Sequence, residues 1–251
     1  MFNNFLKPGK GVEKEIKRKN GFFQYFYSVY LNITKLFFIN FINIPLIAVY
    51  GFFMTSVKNE LKISTGFSYP FDILSVLIYC LIGIPPVFSG LYGILSSMSK
   101  EKPIFFLNDL KDGIKKNIKE TSVIFLVNII FLYFMTVAYK FYFVGGFGNG
   151  VMKLMFFIVL FIYLTMNIFV GYITVTYKLK VKDIYKKALL FTFLNLPQNI
   201  IVMVGLVLIN GLVFSLTTLL GYLFTALLTF SFTMLIINLY AVRTIEKYEI
   251  K

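Results

Sequence analysis

The side chains that could carry chemistry are concentrated in two lysine-rich clusters that share the pattern KDxxKK. The first runs from Lys111 to Lys116 and the second from Lys182 to Lys187. Lysines on a surface helix reach anionic lipid headgroups, or they form a docking surface for a cytoplasmic partner. The candidate partner-docking residues are Asp109, Lys111, Lys115, Lys116, Asn117, Lys119, Lys182, Asp183, Lys186 and Lys187.

Residues suited to catalysis or metal binding are scarce. The chain has no histidine and a single cysteine, Cys80, inside an apolar run. Neither a Cys–His pair nor a usual zinc site can be built from this set. The sequence has no GxxxxGK[ST] phosphate loop, and the glycine-rich stretch 145–150 predicts a flexible turn. We therefore predict no catalytic, cofactor-binding or metal-binding residues, and no enzyme activity.

Prolines interrupt two of the apolar runs. Pro85 and Pro86 lie in the middle of one run, and Gly90 follows shortly after. Because proline lacks a backbone donor and clashes with the preceding turn, the helix must kink or split there. The break is either a kinked span packed against its neighbours or a broken helix lining a small-molecule site. The candidate helix-break residues are Pro85, Pro86, Gly90 and Pro197.

The elements that position these residues are predicted to be membrane-spanning helices. Of the 251 residues, 58% are hydrophobic and 14% are charged, whereas soluble domains average about 45–50% and about 25%. A span needs about 20 residues to cross roughly 30 Å of hydrocarbon, and a charge at its centre costs about 2.5–3.5 kcal/mol. The runs without Asp, Glu, Lys or Arg predict six spans, near 36–57, 73–99, 121–139, 154–177, 197–216 and 220–242.

The distribution of basic residues predicts the topology. With six spans, all but four of the 25 basic residues lie on one side; the four are Lys58, Lys62, Lys140 and Lys153. The positive-inside rule then places both termini in the cytoplasm. Residues 1–20 form a basic cytoplasmic tail, and 21–251 form one helical transmembrane domain. The net charge of +14 indicates an anionic inner leaflet rather than nucleic acid as the partner.

Two amphipathic cytoplasmic helices are predicted to carry the lysine clusters. In the first, Leu107, Leu110, Ile114 and Ile118 recur at three- and four-residue spacing, with lysines on another face. This pattern is typical either of an interfacial linker helix or of a docking surface for a partner. The shared KDxxKK pattern reflects either chance in a lysine-rich chain or an internal parallel repeat.

Six asparagines lie inside the predicted spans: Asn40, Asn43, Asn128, Asn167, Asn210 and Asn238. Their amide groups suit hydrogen bonds between helices, and contact with a substrate is the alternative. Together these features define an all-α integral membrane fold.

Three sequence motifs occur in the same order as in a known protein family. A proline, small residues and an aliphatic run occupy 86–95, a charged turn follows at 100–102, and a basic helix opens near Asp109. With the stretch 182–197, they resemble the YesL-like family of small bacterial membrane proteins over about residues 21–240. The sequence departs from the family pattern at Pro85, Gly93 and Ser96–Ser97.

The resemblance implies a function only by association. Members of this family are often encoded beside carbohydrate ABC importers, which implies an accessory or regulatory role in carbohydrate uptake and importer components as partners. The alternative is a transport component, either an ABC-permease-like subunit or a small-solute transporter, with a site near Pro85–Pro86. The sequence leaves the substrate, the protein partner and the oligomeric state open.

Overall fold

The computed structural model describes residues 21–61, 74–75, 77–82, 87–215 and 230–249, and within these ranges all regular secondary structure is helical. The helices are α1 Gly21–Glu60, α2 Val87–Ser99, α3 Phe106–Tyr139, α4 Gly150–Thr176, α5 Val181–Leu194, α6 Leu196–Ser215 and α7 Phe230–Glu249. Residues 74–75 and 77–82 are also helical. A π-helical turn, Lys140–Val144, extends α3. The all-α prediction is confirmed for these ranges, and the predicted basic tail 1–20 lies outside them.

The helices bury polar side chains and expose apolar ones, as α6 illustrates. Its inward face consists of Asn199, Met203, Leu206 and Asn210. On its other faces, Ile201 is 71% exposed and Leu208 is 61% exposed. A monomer in water rarely carries so large an apolar surface, but lipid chains solvate such a surface without cost. The exposed faces are therefore compatible with insertion into a membrane.

Three helical stretches are long and apolar enough to cross a membrane: Tyr25–Leu46, Phe106–Val144 and Gly150–Thr176. A fourth is obtained if Val181–Leu194 and Leu196–Leu212, which are bent by 92° relative to each other, count as one broken span. The predicted spans near 73–99 and 220–242 fall partly outside the described residues. Within the described residues the structure thus has three or four candidate spans, the first of which begins before the predicted span 36–57. The count of six spans stays a prediction.

The first lysine cluster does not form a separate surface helix, contrary to the prediction. It forms the beginning of α3, which continues without a break into the predicted span 121–139. The reason is that the inward-facing positions stay in phase across the boundary, because they follow one another at three- and four-residue intervals. These positions are Leu110, Ile114, Asn117, Thr121, Ile124 and Asn128. The 34 residues of α3 extend about 50 Å, more than the roughly 30 Å of hydrocarbon. The helix is therefore long enough to cross such a layer and still carry its lysine-rich turns outside it.

The helix α2 is the centre of the bundle. Ten of its thirteen residues are buried, and it packs against α1, α3, α4 and α7. The long first helix α1 packs on α2 and α7, with a kink at Asn32, whose φ of −123° and ψ of 17° are not helical. The helix α3, which carries the first lysine cluster, therefore packs directly against this central helix.

Candidate functional site

Contacts between helix ends place both lysine clusters at the same end of the bundle. At the end of α2, the Ser99 hydroxyl donates to Asn238 Oδ1 of α7 at 3.0 Å. Lys100 Nζ lies 5.2 Å from the ring centre of Tyr172, near the end of α4. The helices α3 and α5 start a few residues after the ends of α2 and α4, respectively. We call this end, with the starts of α3 and α5, the basic end.

The opposite end of the bundle is marked by an ion pair. Lys140 Nζ lies 3.0 Å from Glu60 Oε2, which brings the end of α3 to the end of α1. Both residues follow long apolar stretches that start near the basic end. The helices α1 and α3 therefore run in the same direction.

The first cluster contains residues of two kinds. Lys111, Lys115 and Lys119 are exposed, and Lys116 forms an exposed ion pair of 3.6 Å with Asp112 one turn earlier. In contrast, two candidate docking residues are engaged by their own helix. Asp109 Oδ2 accepts the backbone N–H of Phe105 at 2.9 Å, which stabilises the start of the helix.

Asn117 is the second candidate residue that serves its own helix. Its Nδ2 donates to the carbonyl oxygen of Gly113 at 3.1 Å. The outer face of this cluster is therefore formed by its lysines and Asp112, whose charged groups point away from the bundle.

The second cluster opens α5. Lys182, Asp183, Lys186 and Lys187 are exposed. Lys187 Nζ lies 5.4 Å from the ring centre of Tyr177, a distance typical of a cation–π contact. Farther along, the same outer face becomes apolar, and Leu190 and Phe193 are more than half exposed. The outer face of α5 thus changes from charged to apolar along the helix.

Gly90 lies inside α2, not at a helix break, and that part of the prediction is wrong. A Cβ atom built on Gly90 would lie 2.6 Å from the carbonyl oxygen of Leu110. One built on Gly113 would lie 2.9 Å from the Cα of Gly90. The two glycines let the backbones of α2 and α3 approach closely, as small residues do between membrane helices. Gly113, in the first KDxxKK cluster, therefore forms a helix-crossing point.

The remaining break residues divide into two groups. Pro85 and Pro86 lie outside the described residues. Pro197 is the second residue of α6, directly after the 92° bend between α5 and α6. Asn195 lies at that bend with φ −119° and ψ 28°, and its Oδ1 accepts the Tyr248 hydroxyl at 3.1 Å.

A second asparagine fixes the same bend. Asn199 Nδ2 donates to the carbonyl oxygen of Thr192 at 2.8 Å, across the bend. Its Oδ1 accepts the Tyr240 hydroxyl of α7 at 2.7 Å. Backbone and side-chain partners thus hold α5 and α6 in a fixed relation.

A polar cluster, which we call the polar centre, lies between α3, α4 and α5. Asn128 Oδ1 accepts the hydroxyls of Tyr163 and, at 3.1 Å, of Tyr185. Asn128 Nδ2 and Asn167 Oδ1 are buried and have no hydrogen-bond partner in the described part of the chain. Tyr185 belongs to the second KDxxKK cluster, so the basic end is directly connected to this buried cluster.

Asn128 and Asn167 line a small cavity. Its other walls include Ile82 and Phe88, which flank the Pro85–Pro86 segment on either side. The cavity has about 20 Å³ of space, enough for one water molecule. A buried donor and a buried acceptor without partners are costly to leave unsatisfied, so this cavity is suited to a small polar molecule.

The predicted role of the asparagines is confirmed for most of them. Asn40 Nδ2 donates to the Ser231 hydroxyl at 2.8 Å, and Asn43 Oδ1 accepts the Tyr79 hydroxyl at 2.8 Å. Asn128 and Asn238 also bond to other helices, whereas the Asn167 amide donates within α4. The tyrosine partners were missed because Tyr163 is 35 residues from Asn128, and no local pattern joins the two.

Comparisons with protein-family models, with curated proteins and with solved structures found no match for this chain. Among the residues that the structure describes, no group of three or more His, Cys, Asp or Glu side chains is placed to hold a metal ion. The basic end and the polar centre are therefore the two regions from which a function can be inferred.

Proposed function

We propose that the chain is a bacterial cell-membrane protein with six spans, whose basic end and both termini face the cytoplasm. The grouping of the lysine clusters at one end, opposite the Lys140–Glu60 pair, supports this orientation. The test uses a variant with Cys80 replaced by alanine and single cysteines at Lys115, Lys186 or Lys140. A membrane-impermeant maleimide should label position 140 in intact cells, and positions 115 and 186 only after permeabilisation. Labelling of position 115 in intact cells would show instead that the basic end faces the outside of the cell.

Within this topology, we propose a non-enzymatic accessory or regulatory role in carbohydrate uptake. The observation that carries the proposal is the pair of exposed lysine surfaces at the basic end, on α3 and α5. Exposed ammonium groups on these two helices can pair with acidic groups of a cytoplasmic protein, such as the ATPase or permease subunit of an importer. The resemblance to the YesL-like family supplies the link to carbohydrate importers.

Site-specific photo-crosslinking tests this role in cells. A photoreactive amino acid replaces Lys115 or Lys186 and, as a control, Tyr133 of α3, which is 65% exposed on the apolar part of that helix. We expect the two lysine positions to crosslink to a subunit of a carbohydrate importer, and the Tyr133 position to crosslink to lipid. Crosslinks to lipid alone at all three positions would contradict the accessory role.

A transport component is the second candidate function, and the polar cavity favours it. The cavity lies beside residues that flank Pro85–Pro86, and it contains the unpartnered amide atoms of Asn128 and Asn167. Broken helices in transporters commonly line substrate sites. The cavity has room for about one water molecule, so a sugar would require it to widen. Uptake of radiolabelled sugar into proteoliposomes that contain only this protein, abolished by Asn128→Leu, would favour transport. Uptake that needs an importer and depends on the lysine clusters would favour the accessory role.

A further inference from the structure

A second, larger cleft lies at the basic end, between α1 and the turn after α2. It is lined by Ser28, Leu31, Asn32, Lys35, Met98, Glu101 and Lys102, and its volume is about 210 Å³. The polar centre described above is separate and lined by other residues. Glu101 and Lys102 are exposed, so the cleft reaches the surface of the bundle.

The floor of the cleft contains a polar group without a partner. Ser28 is 1% exposed, and its hydroxyl has no hydrogen-bond partner among the described residues. One turn later, α1 kinks at Asn32, whose Nδ2 donates to the carbonyl oxygen of Ser28 at 3.0 Å. Leaving a buried hydroxyl unsatisfied costs about 1–3 kcal/mol. A bound molecule with an acceptor or donor at this position would remove that cost.

The turn at the rim of the cleft has a strained backbone. Glu101 has φ 55°, in the left-handed region that a glycine usually occupies at the end of a helix. Two backbone bonds hold it there: Glu101 N–H to Met98 O at 3.1 Å, and Lys102 N–H to Ser97 O at 2.9 Å. Strained residues of this kind are frequent at binding sites. Glu101 and Lys102 of this turn both line the cleft.

The charges of the cleft favour an anion that also carries a hydrogen-bond donor. Lys35 Nζ donates to Asn32 Oδ1 at 3.2 Å, which leaves two of its three N–H groups for a ligand. With Lys102, the cleft offers two ammonium groups to one carboxylate. In addition, Leu31 is 52% exposed beside the cleft, which gives the ligand an apolar neighbour.

We infer that this cleft binds the phosphate group of a phospholipid headgroup whose substituent carries a hydroxyl or ammonium donor. The phosphate oxygens accept from Lys35, Lys102 and the Ser28 hydroxyl, and the substituent donates to Glu101. The position at the basic end, where headgroups of the inner leaflet lie, and the adjacent apolar surface favour a lipid over a soluble phosphate ester. Lipid binding at this cleft is independent of the role in carbohydrate uptake.

Native mass spectrometry and thermal unfolding of the full chain in detergent test the site. The probes are phosphatidylglycerol, phosphatidylcholine, glycerol 3-phosphate and inorganic phosphate. Lys35→Gln with Lys102→Gln removes the two charges at the cleft. The matched control, Lys111→Gln with Lys115→Gln, removes two exposed lysines elsewhere at the basic end. Ser28→Ala is a milder variant, since it removes the unpartnered hydroxyl without a change of charge.

We expect the wild type and the matched control to retain phosphatidylglycerol, more tightly than phosphatidylcholine. The cleft double variant should bind it about thirtyfold more weakly, the combined effect of two lysines near headgroups. Ser28→Ala should raise the melting temperature without lipid and reduce the stabilisation that lipid gives. If glycerol 3-phosphate stabilises the wild type but not the cleft double variant, the result supports the phosphate site, with a soluble phosphate ester rather than a lipid as its ligand. Equal binding of every probe by the cleft variant and the matched control overturns the inference.

Discussion

The two KDxxKK clusters have the same inward-facing positions but different continuations. In both, the third and fourth residues face the bundle, Gly113 and Ile114 in one and Ile184 and Tyr185 in the other, and the charged residues face outward. The first cluster continues as one helix into a span, whereas the second ends at Asn195 with a 92° bend. The motif thus determines which side faces inward, and the neighbouring helices determine whether the helix continues or bends.

The inward positions explain part of this difference. Gly113 allows α3 to touch α2 backbone to backbone, so α3 is held along its first turns and continues straight on. Ile184 is fully buried against neighbouring helices, and Tyr185 reaches Asn128 inside the bundle. The lysines on the opposite face are exposed in both clusters, so a shared role in binding anions is compatible with either arrangement.

The largest expected effect comes from changing the third position of the first cluster. Gly113→Leu must displace the α2 backbone at Gly90 and should lower the free energy of unfolding by roughly 3 kcal/mol or more. Gly93→Ala is the matched control, because nothing lies within 4 Å of the Cβ it would add. It should be neutral or slightly stabilising. Unfolding in mixed detergent micelles measures both. A tolerated Gly113→Leu would disprove the close crossing.

The next largest loss of stability is expected when the continuity of α3 is broken. Thr121→Pro interrupts the helix where the lysine-rich part joins the span, and should cost about 3 kcal/mol. Pro197→Ala changes the first turn of α6, where a proline has no helical bond to lose, and should cost well under 1 kcal/mol. The same unfolding assay compares the two variants. Equal, small effects would mean that the lysine-rich part of α3 is a separate helix after all.

The sequence predicted the helical class and the lysine surfaces because both follow from local composition and periodicity. It placed a boundary near residue 120 because charge ends there, but charge does not break a helix when the inward-facing positions stay in phase. The close approach of Gly90 and Gly113 and the partners of Asn128 could not be predicted, since each joins residues from different helices. A glycine in an apolar run signals a break or a crossing equally well.

A smaller loss of stability is expected when the contacts that hold the bend after the second cluster are removed. Asn199→Ala removes the amide that joins Thr192 to Tyr240, whereas Asn117→Ala removes a bond within α3. A double-mutant cycle of Asn199→Ala and Tyr240→Phe should give a coupling of about 1 kcal/mol, as polar pairs between membrane helices do. Asn117→Ala should cost less than half of that. Purely additive effects at Asn199 and Tyr240 would show that the bend is held by other contacts.

The smallest effect distinguishes the aspartates of the two clusters. Asp112 pairs with Lys116 at 3.6 Å, with both side chains about two-thirds exposed or more. In the second cluster, Lys187 lies over Tyr177 instead, although Asp183 is spaced to pair with it in the same way. Asp112→Asn should therefore cost about 0.3–0.5 kcal/mol, the usual value for a pair one turn apart. Asp183→Asn should be neutral. Because about 1 M salt screens exposed charges beyond roughly 3 Å, the difference between the two variants should vanish there. A difference that persists in high salt would mean that Asp112 acts through packing or through the helix dipole rather than through Lys116.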